Sequence, residues 1–432
     1  MADAVAVSAS AVHTKLNRQQ ITGFWGAWTG WTLDGMDSVI YALVLSPALT
    51  ELLPKSGIKA TPASIGLAGS TLFALFLVGW GLSMIWGPIA DKFGRSRVLA
   101  ATIFCYAIFT GAAAMSQTVW QLGLFRLLAG IGIGGEWALA GTYVAEAWPE
   151  DRRKMGAGYL QTGYYAGFFL ASALNYTVGA HYGWRAMFWC GLTPVIVAML
   201  ILLRVKEPER WQQKAKVKTG GIASLGRIFG APYTRRTLVN TVLLAAAICG
   251  LWAGAVYAPT AIITLARKAG MPQAEAVRTS SFGMGLLSLG TILGCLAVPL
   301  LAERIGRKRT LAFYFLGMLI CILLSFGWAF YLPQGLHPFI HVLFFLGFFG
   351  GNFAVFSLWL PEQYGTTVRA TAFAFTTSFG RFIAAGVNFL IGGMVRNMGT
   401  LGKPVAFTAI AFGIGLLVIP FGLETRGKAL PD

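Results

Sequence analysis

The stretch of sequence that decides the fold reads GPIADKFGRSR and occupies residues 87–97. A glycine precedes an acidic residue, and a second glycine separates this acid from a dense group of basic residues. A related stretch, PLLAERIGRKR, occupies residues 299–309, and its Glu303 stands 212 residues after Asp91. Each copy follows a long apolar segment. The pattern therefore predicts a short charged turn between two helices that the chain uses twice.

A second set of matching residues supports an internal duplication. Glu146 and Arg153 match Glu362 and Arg369, which lie 216 residues later. Two matches at nearly the same separation indicate a repeated unit about half the length of the chain.

The composition excludes a soluble protein. Of the 432 residues, 56% are hydrophobic and 12% are charged, whereas soluble domains carry roughly 25% charged residues. The mean hydropathy is +0.66. The 34 Lys and Arg residues outnumber the 16 Asp and Glu residues and give a net charge of +18. In so apolar a chain this excess favours basic loops at a membrane surface, and we expect no nucleic-acid partner.

Twelve apolar windows are long enough to span a bilayer. They cover residues 22–48, 65–90, 98–117, 120–147, 155–180, 185–205, 237–263, 280–302, 310–331, 338–361, 370–395 and 404–423. The longest polar stretch lies between the sixth and seventh windows. We therefore predict an N-terminal tail at 1–21, a six-helix bundle at 22–205, a linker at 206–236, a second six-helix bundle at 237–423 and a tail at 424–432.

The distribution of basic residues predicts the orientation. With the N-terminus in the cytoplasm, the cytoplasmic segments hold 24 of the 34 Lys and Arg residues and the external loops hold 8. Cytoplasmic loops of membrane proteins carry such an excess of basic residues. Both termini and the linker are therefore expected to be cytoplasmic.

The turn at 87–97 resembles the GxxxD[RK]xGR[RK] motif between the second and third spans of the major facilitator superfamily. The second copy departs from it, with Pro299 in place of Gly87 and Glu303 in place of Asp91. The resemblance covers essentially the whole chain. It implies an all-α membrane protein with twelve transmembrane helices in two six-helix repeats and alternating access to a central site.

Three further stretches resemble particular branches of that superfamily. LDGMD at 33–37, RLLAGIGIGGEW at 126–137 and ETRGKAL at 424–430 together resemble the sialate and monocarboxylate proton symporters. The first also resembles the aromatic-acid proton symporters, and the third resembles the sugar porters. The resemblance implies proton-coupled symport of a small organic anion, such as lactate, pyruvate or a sugar acid. An aromatic acid, or a sugar or other metabolite, is the alternative substrate.

Five ionisable residues lie well inside the predicted spans: Asp34, Asp37, Arg126, Glu136 and Arg381. A charged side chain at the centre of a bilayer costs about 2.5–3.5 kcal/mol on translocon scales, so such residues are functional candidates by default. The alternative is a set of ion pairs between helices with no role in transport. The resemblance assigns the helix that carries Arg126 and Glu136 to the region of proton coupling.

Arg381 is the leading candidate for binding substrate. It lies twelve residues after Arg369, which places it about 18 Å inward from the end of its span, near the midplane of a core about 30 Å thick. A guanidinium matches a carboxylate with two parallel hydrogen bonds. Asp34 and Asp37 share one face of the first helix. Since two close carboxylates cannot both ionise cheaply there, we expect at least one to carry a proton; the alternative is that Asp34 pairs with Arg126.

Two larger groups of residues complete the predicted sites. Polar and aromatic residues within spans extend the substrate site: Tyr41, Gln161, Tyr164, Trp252, Tyr257, Asn352 and Asn388. Residues at the cytoplasmic helix ends form a gate by resemblance: Gly87, Asp91, Arg95, Arg97, Glu146, Arg153, Glu303, Arg307, Glu362 and Arg369. The alternative for the charged members is that they only set topology.

The sequence contains no nucleophile triad, phosphate-binding loop or metal-ligand motif, so we expect no enzyme activity, metal or cofactor. The expected partners are a small organic acid, protons and the lipid bilayer. We expect a monomer with several spans in a cell membrane, the inner membrane if the source is bacterial. A transport-inactive sensor or a channel is the rival class, and substrate-induced proton flux in proteoliposomes would distinguish them.

The orientation is testable by labelling with a thiol reagent that cannot cross the membrane. In a cysteine-free background, Lys216→Cys should stay unlabelled when the reagent is added outside intact cells, because the linker is predicted to be cytoplasmic. Lys59→Cys, in a predicted external loop, is the matched control and should be labelled. The reverse pattern would show that the orientation is inverted.

Overall fold

The computed structural model describes residues 14–214 and 222–431, and within these ranges the chain forms helices and no strand. The first six long helices are helix 1, Arg18–Lys55; helix 2, Pro62–Leu82, continued by the 3-10 turn Ser83–Ile85 into Trp86–Phe93; helix 3, Arg95–Ala113; helix 4, Val119–Ala147; helix 5, Arg153–Leu174, with the π turn Asn175–Gly179; and helix 6, Ala180–Cys190 followed by Pro194–Arg204. Two short helices, Glu209–Lys214 and Ile222–Ile228, follow in the linker.

The second group of six begins after the linker. It consists of helix 7, Thr234–Lys268; helix 8, Gln273–Ile305; helix 9, Arg307–Ile322, with the π turn Leu323–Trp328 and the 3-10 turn Ala329–Tyr331; helix 10, Leu336–Gly350 followed by Asn352–Trp359 and the 3-10 turn Pro361–Gln363; helix 11, Arg369–Met398; and helix 12, Gly402–Ala406 with Ala409–Val418 and the 3-10 turn Ile419–Phe421. Most helices extend past the predicted apolar windows, because they continue into polar turns at the membrane surfaces.

Eight of these twelve helices are long and apolar enough to cross a membrane by themselves. The exceptions among the described residues are helices 1, 5, 7 and 11, although helix 1 also qualifies when its two segments, Arg18–Leu45 and Pro47–Lys55, count as one bent span. Helices 1 and 7 hold equivalent places in the two repeats, as do helices 5 and 11. Helix 1 packs on helix 5, and helix 7 packs on helix 11. The least apolar helices are thus paired inside each half, where their polar side chains avoid lipid.

Local sequence signals start the first helices. The Asn17 side chain accepts a hydrogen bond from the backbone N–H of Gln20, and the Gln20 side chain accepts one from Asn17 in return. Thr61 and Ser64 form the same reciprocal arrangement at the start of helix 2, where proline occupies the first helical position. Such caps satisfy N–H groups that have no partner inside the helix.

Glycines let the helices of each half approach closely. A Cβ atom on Gly79 of helix 2 would lie 2.0 Å from the carbonyl oxygen of Leu127 on helix 4. In the second half, a Cβ on Gly294 of helix 8 would lie 2.0 Å from the carbonyl oxygen of Phe348 on helix 10. These two helix pairs are equivalent in the repeat. Small residues at equivalent contacts therefore set the same close spacing twice.

The two halves meet mainly through helix 11 against helices 2 and 4 and through helix 5 against helices 8 and 10. The linker covers one end of this interface, since the Trp211 indole N–H donates a hydrogen bond to the carbonyl oxygen of Asp91 at 3.2 Å. We call this end of the molecule the linker side. The predicted domain limits and the cytoplasmic location of the linker stay predictions.

Candidate functional site

The five ionisable residues predicted to lie inside spans are all buried. Asp34, Asp37, Arg126 and Glu136 have no exposed surface, and Arg381 is 3% exposed. Helix 1 supplies the two aspartates, helix 4 supplies Arg126 and Glu136, and helix 11 of the other half supplies Arg381. The structure therefore gathers these charges between helices 1, 4 and 11.

Arg126 pairs with Asp37. Its Nη1 atom lies 3.6 Å from Oδ2 of Asp37, and neither side chain is exposed. The Arg126 guanidinium carbon also lies 4.5 Å from the ring centre of Tyr41 and 4.4 Å from that of Phe76. Aromatic faces attract a guanidinium at such distances. The alternative that Asp34 pairs with Arg126 is wrong in this conformation, because the register of helix 1 turns Asp37 toward helix 4.

Asp34 and Glu136 lack such a partner. Within the described part of the chain neither carboxylate makes a hydrogen bond of ordinary geometry, although the Tyr106 side chain lies against Glu136. The charged groups that act on Asp34 are Glu136, Asp37 and Arg381. Two unpaired carboxyl groups therefore share the interior with one arginine from the opposite half.

Arg381 lies among aromatic rings. Its guanidinium carbon is 4.1 Å from the ring centre of Trp80 and 5.8 Å from that of Trp137. Its Nη1 atom donates to the carbonyl oxygen of Thr377 at 2.6 Å, one turn earlier on the same helix. Across the described ranges Arg381 forms no ion pair within 4.0 Å. We call Arg381 with Trp80, Trp137 and Tyr164 the arginine site.

A chain of polar and aromatic contacts joins the two halves beside the arginine site. The Trp137 indole N–H donates to the Ser357 hydroxyl at 2.9 Å, and that hydroxyl donates to Oε1 of Gln161 at 3.3 Å. The Trp31 ring stacks on Trp137 at 6.1 Å and packs on Tyr164 at 4.7 Å. Of the predicted substrate residues, Tyr164 thus faces Arg381 across the interface, and Gln161 joins the same network through Ser357.

The remaining predicted substrate residues take no part in these contacts within the described chain. Asn352 is fully buried at the break in helix 10, where its amide donates to the carbonyl oxygen of Phe349 at 3.0 Å. Tyr257 is half-buried on helix 7, and Tyr41 contacts Arg126 instead. The side chains of Trp252 and Asn388 lie outside the described residues.

The predicted gate residues meet on the linker side. Arg95 lies 2.8 Å from Asp91 and 3.2 Å from Glu146, and all three side chains are fully buried. The same Glu146 carboxylate lies 2.7 Å from Nη1 of Arg369 in the other half. Asp91 also accepts hydrogen bonds from the backbone N–H of Thr371, at 3.0 Å, and from its hydroxyl.

The second repeat forms the same arrangement. Arg307 lies 2.8 Å from Glu303 and 2.9 Å from Glu362, and Glu362 lies 3.6 Å from Arg153 of the first half. Lys154 adds a pair with Glu303 at 2.6 Å. Each repeat's glutamate therefore pairs with the arginine of the opposite repeat. We call Glu146–Arg369 and Glu362–Arg153 the crossed pairs.

Two other predicted gate residues act through the backbone. Gly87 lies against helix 11, since a Cβ atom there would be 2.7 Å from Cα of Thr371. The Arg97 side chain is exposed, and its backbone N–H donates to Glu207 at 3.1 Å. Within the described residues, Arg97 therefore takes part through its backbone N–H and forms no ion pair.

Sequence reasoning missed a pair of acidic caps. Glu207 follows helix 6 and accepts hydrogen bonds from the first N–H groups of helix 3, while Glu424 follows helix 12 and does the same for helix 9. Each carboxylate lies against a glycine with positive φ, Gly94 at 114° and Gly306 at 90°. Partial burial raises the pKa of Glu424, but its backbone N–H donors hold this pKa below the ordinary value. The separation of 217 residues, close to the other repeat distances, could have identified the pair.

The segment after helix 12 crosses the linker side. The carbonyl oxygen of Pro431 accepts a hydrogen bond from Nη2 of Arg369 at 2.5 Å, and the Leu430 N–H donates to Glu150 of the first half at 3.1 Å. Leu430 is buried. This segment therefore contacts both halves beside the crossed pairs.

The paired helices, the repeated charged turns and the central arginine define a transporter built from two halves. The model of the Major Facilitator Superfamily matches residues 27–387, and the chain belongs to that family. It is a multi-pass membrane transporter and not an enzyme. The expected twelve-helix fold of two six-helix repeats is thereby confirmed.

Known proteins of this family resemble the whole chain. A protein of Cupriavidus pinatubonensis named "Probable 4-methylmuconolactone transporter" is 29% identical over 96% of this chain and 93% of its own length. The niacin transporter NiaP of Acinetobacter baylyi is 26% identical over 95% of both chains. The proton:xylose symporter XylE, solved with 6-bromo-6-deoxy-D-glucose, matches with a TM-score of 0.78 at 19% identity and covers 95% of this chain and 98% of its own.

The crossed pairs generate a prediction about the linker side. Glu146→Gln removes the carboxylate that Arg95 and Arg369 share, and breaking a buried pair in this way costs about 3–5 kcal/mol. The closed linker side should therefore lose stability. Spin labels at Lys92→Cys and Arg309→Cys, both exposed and one in each half, should report longer distances in this variant.

Glu303→Gln is the matched control for this experiment. The Glu303 side chain is 41% exposed, and such surface pairs contribute about 0–1 kcal/mol. Its distance distribution should stay close to that of the unmodified protein. Equal distributions in all three proteins would show that Glu146 does not hold the linker side closed.

Proposed function

We propose that the protein is a proton-coupled symporter that imports a small organic anion by alternating access. The observation that carries the proposal is Arg381, a buried arginine without an ion pair in the described residues, set between the two halves. A buried cation without a counter-ion is unfavourable, so a substrate carboxylate would complete the site. Transporter substrates bind near the bilayer midplane at the interface of the repeats.

The surroundings of Arg381 favour a flat substrate. The rings of Trp80, Trp137 and Tyr164 can stack on the π system of an unsaturated or aromatic acid, whereas lactate and a sugar acid have no ring or chain π electrons to pair with them. This observation favours an aromatic or unsaturated carboxylate over the other organic acids. The relative named as a niacin transporter supports it, because niacin is a pyridine carboxylate.

Proton coupling follows from competition for one arginine. Ionised Asp34 attracts Arg381 from the opposite half, and protonation of Asp34 removes that attraction. The guanidinium is then available to the substrate carboxylate. Return of the proton to the other side of the membrane restores the attraction and favours release of the substrate. A ligand shifts a conformational equilibrium only through such a difference in affinity between states.

Alternating access would require the linker side to open. The crossed pairs hold this side closed in the present conformation, and their separation would expose the arginine site toward the linker. If the linker is cytoplasmic, the present conformation has its cytoplasmic side closed. We propose that the protein works as a monomer in a bacterial inner membrane, which the bacterial relatives support.

The role of Arg381 is testable with a panel of acids in proteoliposomes under an imposed proton gradient. Arg381→Ala should lose about 2–5 kcal/mol of binding free energy, since one partner of a buried charge pair is truncated. This corresponds to at least a roughly 30-fold loss of apparent affinity. Arg381→Lys, the matched control for charge, should also bind weakly, because an ammonium cannot form the bidentate contact.

A neutral analogue provides the second arm of this experiment. Nicotinamide should neither bind nor compete if nicotinate is a substrate, because it lacks the carboxylate. Equal competition by the amide, or normal uptake by Arg381→Ala, would contradict the carboxylate assignment. Sugar-type substrates would then be the leading hypothesis, with Gln161 and Asn352 the next residues to test.

The role of Asp34 is testable by separating exchange from accumulation. Asp34→Asn should abolish proton-driven uptake of the substrate against its own concentration gradient, because residue 34 can no longer alternate between charged and neutral forms. Exchange of internal for external substrate should survive, since it needs no net proton transfer. Asp37→Asn, the comparison variant, removes the partner of Arg126 instead. Undiminished proton-driven accumulation in both variants would remove the two aspartates from the mechanism.

A further inference from the structure

The Glu136 carboxylate rests directly on the backbone of helix 1. Its side chain is fully buried and lies against Tyr106, and neither oxygen makes a hydrogen bond of ordinary geometry within the described ranges. A Cβ atom built on Gly30 would lie 2.1 Å from Oε1 of Glu136. Nonbonded atoms do not approach so closely, so any other residue at position 30 would displace the carboxylate. Gly30 therefore determines where this carboxyl group lies.

Gly30 also places Glu136 beside Asp34. Residues four positions apart lie on one face of a helix, and Asp34 follows Gly30 by four. Glu136 is one of the charges that act on Asp34. The other titratable or charged groups that face this pair are Asp37 on helix 1, Tyr106 on helix 3, Tyr164 on helix 5 and Arg381 on helix 11.

The charge balance of the interior indicates that this pair holds a proton. Three carboxyl groups and two guanidinium groups lie inside the spans. Asp37 and Arg126 neutralise each other, which leaves Asp34 and Glu136 to share Arg381. With both ionised, the interior would carry one excess negative charge, and buried charges without partners are strongly unfavourable. One proton on the pair restores neutrality in the empty carrier.

We infer that Asp34 and Glu136 form a single proton-binding site with a shared proton, and that Gly30 is its positioning residue. The inference rests on the proposed proton-coupled function. When a monoanionic substrate occupies Arg381, neutrality requires a second proton on the pair. The carrier thus moves one proton with each monoanion and keeps one proton throughout, so this transport is electroneutral.

Gly30→Ala is the direct test. The added methyl group should push the Glu136 carboxylate away from Asp34, so the shared proton is held less tightly. The pH profile of proton-driven uptake should move to lower pH by about one unit, a roughly tenfold change in proton affinity. Gly26→Ala is the matched control on the same helix, because its Cβ would meet only the apolar side chains of Ile201, at 3.2 Å, and Val205, at 3.4 Å.

Two double variants separate proton binding from simple crowding. A Cβ on Gly30 would also touch Cδ1 of Ile103 at 3.0 Å, so loss of activity alone would be ambiguous. Gly30→Ala with Glu136→Asp makes room and keeps a carboxyl group, and it should restore the original pH profile. Gly30→Ala with Glu136→Asn makes the same room without the acid and should not restore it. Restoration by both, or by neither, would overturn the role of Gly30.

A measurement without substrate distinguishes failure of this inference from failure of the proposed function. Infrared difference spectra of the purified full-length protein between acidic and alkaline pH should contain the carbonyl band of a protonated carboxyl group. The band should be lost in Glu136→Gln and altered in Gly30→Ala, with Gly26→Ala unchanged. An identical band in all four proteins would exclude the shared site even if transport proves proton-coupled. If the expected band is found but substrate uptake does not respond to the proton gradient, the shared site would stand and the proposed proton coupling would be refuted.

Discussion

The imbalance between three carboxyl groups and two guanidinium groups inside the spans is the constraint on which the rest of the structure depends. Lipid offers these groups neither water nor counter-ions. The helices that carry the groups therefore pack against one another rather than against lipid. Helices 1 and 5 approach so closely that only glycine fits at some of their contacts. The same constraint separates the groups by role. Asp37 and Arg126 satisfy each other within one half, whereas Asp34 faces Arg381 of the other half and Glu136 lies beside Asp34.

Much of the fold could be predicted from the sequence, because it depends on local properties. A span needs only a run of apolar residues, and the duplication is visible in the spacing of Asp91 and Glu303. Burial of Arg381 followed from its distance along helix 11. These features can be inferred without knowing which helices contact one another. The eight most apolar helices illustrate the point, since length and composition alone identify them.

The pairing of side chains could not be predicted, because it depends on the rotation of each helix about its axis. Asp34 and Asp37 are equally good partners for Arg126 in sequence, and only the packed register selects Asp37. Trp80 and Trp137 have no sequence feature that separates them from the other tryptophans, yet they surround Arg381. Gly30 was one of 54 glycines. Its importance arises from the position of a glutamate that lies 106 residues later in the chain.

The crossed pairs have a consequence for how the linker side can open. Because each repeat supplies the acid for one pair and the base for the other, rotation of one half as a rigid body separates Glu146 from Arg369 and Glu362 from Arg153 together. A state with only one pair broken would require one half to deform, so partly open forms are disfavoured. The duplicated sequence thus makes opening of the linker side a single concerted event instead of two independent ones.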